Sequence, residues 1–123
     1  MTERVTCRTE HKTFIAWQVL RVTMEIRGVL GSGFPIARIA DIVDSSTRAA
    51  IELLDDDESD VRPGKAGSLD RALFEARTRI RLIRKTLKPG AFDATSSDTL
   101  DFLALLASGA VSELQAALGD PDA

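Results

Sequence analysis

Cys7 and His11 stand four residues apart and are the one cysteine and the one histidine in the chain. A thiol beside an imidazole is a nucleophile beside its base. It works only with a third group to orient the base and with donors placed for the oxyanion. This pair sits in a chain end without a rigid frame, so it reads as a tail cysteine and a surface histidine. No catalytic residue is assigned. With one Cys and one His, a disulfide framework and a Cys/His zinc site within one chain are both excluded. A di-metal centre in a helical bundle needs inward-facing Glu with His three residues on, drawn from facing helices. No Glu-x-x-His is present, and Glu25, Asp41, Glu52 and Glu113 fall mostly off the apolar seams. No metal and no cofactor is expected. Ser32-Gly33 is too short to cradle a phosphate and no lysine follows in P-loop spacing, so it marks a turn.

The charges are distributed less evenly than their total of −3 suggests. Residues 70–88 carry seven basic side chains against Asp70 and Glu75, a net of +5, whereas residues 89–123 carry six acids and no base. Arg77, Arg81, Arg84 and Lys88 repeat at helical spacing one residue on from an apolar seam, with Lys85 beside them. That position flanks the packed face of a helix. The stripe is a candidate ridge for nucleic-acid phosphates or a partner surface. Equally, it is a flank that pairs with acidic segments of the same or a neighbouring subunit, Asp98, Asp101 and Glu113 being the acids considered. Phe74 is the one aromatic on that helix and the chain has no tyrosine. Base stacking is unsupported, and nucleic-acid binding through this stripe would be backbone-directed.

What must position these residues is a single domain. The chain has 123 residues, 44% of them apolar, enough to bury one core and too few for two domains. No apolar run approaches the roughly 18 residues of a membrane span, and Met1 is not followed by a signal-peptide pattern. A soluble, cytoplasmic protein without membrane association is expected.

Residues 1–10 alternate weakly and read as an extended tail or a short strand. From His11 the period becomes helical: Ile15, Val19, Val22, Ile26 and Val29 form a seam, with Trp17, Leu20 and Met24 as a second stripe. Gly31 to Pro35 supplies a stop and a start. A second helix runs over 35–54 with Ile36, Ile39, Val43, Ala50 and Leu54 inward. Residues 55–68 read as a long acidic loop. The third helix, 69–88, has the most regular seam: Leu69, Leu73, Ala76, Ile80, Ile83 and Leu87. The fourth, 97–118, places Leu100, Leu103, Ala107, Ala110, Leu114 and Ala117 inward, widened by Phe102, Leu105, Leu106 and Val111. The expected fold is all-α, an up-down-up-down four-helix bundle over residues 11–119, with residues 120–123 as a C-terminal tail. The first and last helices carry more apolar surface than a bundle interior requires. Trp17, Leu20, Met24, Phe102 and Leu106 are therefore expected at a subunit interface.

The order of marked positions resembles a known family. Phe14-Ile-Ala-Trp17-Gln18 lies in the first helix. Gly33-Phe34-Pro35 leads into a helix with Arg38 near its start. A loop then precedes Leu69-Asp-Arg-Ala-Leu-Phe-Glu-Ala76-Arg, and Gly90-Ala-Phe92 leads into a leucine-rich last helix. Over about residues 12–118 this is similar to the bacterial four-helix-bundle family of 23S-rRNA intervening-sequence proteins and the accessory variability determinant of diversity-generating retroelements. Ile51-Glu-Leu-Leu54 stands where the intervening-sequence branch often carries Asn-Ile-Ala-Glu-Gly. The resemblance implies a non-enzymatic protein that assembles into a homopentameric ring. In the retroelement branch that ring binds a reverse transcriptase and its RNA. The function expected is an oligomeric helical scaffold for a nucleic-acid-processing partner. The alternative is a protein-only adaptor or structural subunit with no nucleic-acid contact.

Overall fold

A computed structural model describes residues 2–56, 68–87 and 97–119. Among the described residues there are four helices: α1 (Thr2–Leu30), α2 (Ile36–Asp56), α3 (Leu69–Thr86) and α4 (Ser97–Gly119). The core resolves into two buried clusters, one at each end. The first joins Ile15, Ala16, Val19 and Leu20 of α1 to Ala50 and Leu54 of α2, Leu73 to Ile80 of α3, and Ala110 to Ala117 of α4. The second joins Ile26 and Leu30 to Ile39 and Val43, Ile83 and Leu87, and Leu103 and Ala107. Along each successive helix the order of the two clusters reverses, so the chain runs up, down, up and down. α1 packs on α2 and α4, α3 packs on the same two helices, and α1 and α3 stand diagonally.

The third and fourth helices bury the seams their spacing predicts. Leu73, Ala76, Ile80, Ile83 and Leu87 of α3 are buried, as are Leu103, Ala107, Ala110, Leu114 and Ala117 of α4. The Ser68 hydroxyl caps α3 by accepting from Arg71 N at 3.1 Å, with Asp70 in the first turn and Arg84 and Lys85 in the last. Between α1 and α2, Gly31 N donates to Arg27 O and Ser32 N to Val29 O, closing the helix end. Gly33 then takes φ 78°, a left-handed conformation open to glycine without penalty. Pro35 O accepts Ile39 N at 3.0 Å and starts α2.

Three expectations need correction. Residues 2–10 are helical, not an extended tail or strand. Nothing between Thr2 and Leu30 is a proline, and a helix already nucleated on the core extends at one bond per residue added. The weak alternation of Val5 and Cys7 is too short to oppose that. Second, the buried face of α1 is rotated from the predicted seam: Val22 and Val29 are half-buried, while Ala16, Leu20, Thr23 and Leu30 are fully inside. Thr23 and Thr47 sit in the core because each hydroxyl donates to the carbonyl four residues back, Val19 O at 2.6 Å and Val43 O at 2.7 Å. Third, Asp98–Gly119 is long and apolar enough to cross a membrane by length and composition, with mean hydropathy 1.4. In this fold it is the fourth wall of the bundle, and its leucine and alanine stripe is the core. The expected tail at 120–123, most of the expected loop at 55–68, and residues 88–96, Lys88 among them, lie outside the described residues.

Candidate functional site: the charged flank of α3 and the outer faces of α1 and α4

The basic stripe of α3 turns towards α2. Arg77 Nη2 lies 2.5 Å from Asp55 Oδ1, and Arg81 Nη2 lies 3.8 Å from the same oxygen. Arg84 Nη1 lies 3.4 Å from Asp44 Oδ1 and donates to the Asp44 carbonyl at 3.2 Å. Asp44 also holds Arg48, one turn along α2, at 3.4 Å. Three of the four stripe positions thus have carboxylate partners within their own chain. Lys85 is exposed at the end of α3.

The acids that face the stripe are on α2, not Asp98, Asp101 or Glu113 of α4. Asp55 does not open a loop: α2 continues through Asp56 and carries Asp55 alongside Arg77. One α4 pair does form, with a different arginine: Arg79 Nη1 lies 2.9 Å from Glu113 Oε1, a charge contact whose N–H is not aligned for a hydrogen bond. The Arg79 guanidinium crosses α4 where Gly109 leaves room; a Cβ there would stand 3.4 Å from its central carbon. On the α2 side a ladder of arginine–aspartate pairs therefore flanks the apolar core. Each pair is partly solvated, so each contributes at most about 1 kcal/mol. Asp44 and Asp55 together face Arg48, Arg77, Arg81 and Arg84, so they offset the charge of the α3 stripe in part.

The residues expected at a subunit interface divide in two. Leu20 is 4% exposed and belongs to the first core cluster, and Leu106 is half-buried against the second. Neither offers a free surface. Trp17 (54% exposed) and Phe102 (53%) do, with Met24 less so. Two residues not named for the interface are more exposed than either: Phe14 at 59% and Leu105 at 70%. A signal for them was present, because Phe14, Trp17, Arg21, Met24 and Gly28 recur at three- and four-residue steps. That is a second seam, lying opposite the buried one.

At the α1–α2 turn, Arg38 stacks over the Phe34 ring with its guanidinium carbon 4.7 Å from the centroid. His11 is exposed on helical backbone, four residues after Cys7. Among the described residues, no group of three or more His, Cys, Asp or Glu side chains is placed to hold a metal ion.

Comparison of the chain with known protein families, with characterised proteins and with solved structures finds no match.

Proposed function

We propose that this chain is a non-enzymatic helical scaffold that assembles with copies of itself into a ring and presents that ring to a protein partner. The observation that carries the reading is the outward apolar surface of α1 and α4, where Phe14, Trp17, Phe102 and Leu105 are each more than half exposed. Four large side chains left mostly in water on two adjacent helices mark surface kept for contact. The family resemblance extends the proposal to an assembly of five copies. It also extends it to a partner that processes nucleic acid, such as a reverse transcriptase with its RNA. The pairing of Arg77, Arg81 and Arg84 with Asp55 and Asp44 favours holding that partner through protein surface rather than through phosphate.

Light scattering at micromolar concentration tests the first half; an assembly several times the 13.3 kDa chain is expected, and a monomer overturns it. A gel shift in about 50 mM salt tests the second, since backbone-directed binding is strongest at low ionic strength. No shift is expected. A shift that disappears in a still-assembled Arg77→Glu/Arg81→Glu variant would assign the stripe to nucleic acid.

A further inference from the structure

We infer that successive copies pack the outer seam of α1 against the outer seam of α4 from the next copy, antiparallel and without sliding along the bundle axis. The inference rests on the self-association proposed above and specifies which surfaces meet and in what register.

Two outward seams are available. On α1 the residues are Phe14, Trp17, Arg21, Met24 and Gly28. On α4 they are Phe102, Leu105, Gly109, Ser112 and Ala116, again at alternating three- and four-residue steps, with the Arg79 guanidinium of the same chain lying across Gly109. Both are heptad seams on the side away from the core, the pattern that packs knobs into holes. The core clusters supply the heights. Ile15 to Leu20 lie level with Ala110 to Ala117, and Ile26 and Leu30 lie level with Leu103 and Ala107. A neighbour turned about an axis parallel to the bundle keeps those heights. Phe14 then faces Ala116, Trp17 faces Ser112, Met24 faces Leu105, and Gly28 faces Phe102.

In that register bulk meets space. The two aromatic residues of α1 lie over the small residues of α4. The aromatic residue of α4 lies over a glycine whose added Cβ would meet nothing within 4 Å in its own chain. The charges of the two helices are complementary. Lys12 is paired with Asp70 and Glu113 with Arg79 within the chain, which leaves Arg21 and Arg27 against Glu25 over residues 11–30 of α1, and Asp98 and Asp101 with no base on α4.

The two surfaces differ, so the contact is heterologous. Each copy uses its α1 face on one side and its α4 face on the other. Helices α1 and α4 occupy adjacent corners of the bundle, so their outward faces diverge and each added copy turns the same way. With no slide along the axis, such a series closes into a ring.

Disulfide trapping in a Cys7→Ser background tests the register. Chains carrying Met24→Cys alone are mixed with chains carrying Leu105→Cys alone and oxidised. The expected result is a covalent dimer in the mixture and in neither chain by itself. A Met24→Cys and Ser112→Cys mixture, two layers out of register, should give less than a tenth of that yield. Dimers from one variant alone would show a two-fold symmetric contact and overturn the inference. Gly28→Phe adds a second readout. It places a ring where the monomer has open space, so circular dichroism should stay native while sizing shifts to the monomer. An assembled Gly28→Phe protein, or an assembled wild type without the Met24–Leu105 cross-link, rejects this interface and leaves self-association standing. A monomeric wild type rejects both.

Discussion

Truncating Ile80 to Ala tests whether the α3 seam holds the bundle together. Ile80 is fully buried in the first core cluster, midway along the helix. The change removes three carbons from the interior, which at about 0.8 kcal/mol each amounts to about 2.4 kcal/mol of lost transfer free energy. The same cluster is rich in alanine, with Ala72, Ala76, Ala110 and Ala117 among its members, and alanines cannot extend into a gap. A residual cavity of about 50 Å³ would add about 1.2 kcal/mol. The expected loss is thus about 3.5 kcal/mol, a large share of the 5–15 kcal/mol typical of a folded domain. For a chain of this size it lowers the midpoint temperature by roughly 10–15 °C. Urea unfolding at one fixed protein concentration measures it, because assembly makes apparent stability depend on concentration. Ile83→Ala, equally buried in the second cluster, should behave alike, and the exposed Gln115→Ala should stay within about 0.5 kcal/mol of wild type. If Ile80→Ala and Ile83→Ala both cost less than about 1 kcal/mol, the assigned phase of α3 is wrong.

The α2 acids are expected to mask the α3 stripe. An Asp44→Asn/Asp55→Asn protein should lose only about 1–2 kcal/mol, since partly exposed pairs contribute little each. It should gain salt-sensitive retention of RNA or DNA in a filter assay, and unchanged retention would show that pairing is not what silences the stripe. Gly33→Ala should cost about 1 kcal/mol in thermal unfolding, because alanine is strained at the φ of 78° that the turn requires. A neutral result would mean that the turn relaxes to another conformation.

The number of helices, their order and most of the inward residues were legible in the sequence. A seam such as Leu73, Ala76, Ile80, Ile83 and Leu87 can face only one way on a helix of 3.6 residues per turn, whatever it packs against. The stop and start around Gly31 to Pro35 were legible for the same reason, since a left-handed glycine and a proline impose their own geometry. Apart from the N-terminal turns of α1, the assignments that failed depended on a partner. Trp17, Leu20 and Met24 form one stripe by spacing, yet Leu20 enters the core and the other two do not. The rotation of α1 about its axis is set by what α2 and α4 leave to be filled. The arginines of α3 were legible as a flank, but α3 lies between α2 and α4, and a flank pattern does not say which neighbour it meets. Packing turned the stripe to α2, where two further helical residues, Asp55 and Asp56, bring Asp55 within reach of Arg77 and Arg81. Local spacing determines which face of a helix is apolar; the identity of the group across from each side chain is a property of the assembled bundle, and only the tertiary structure decided it.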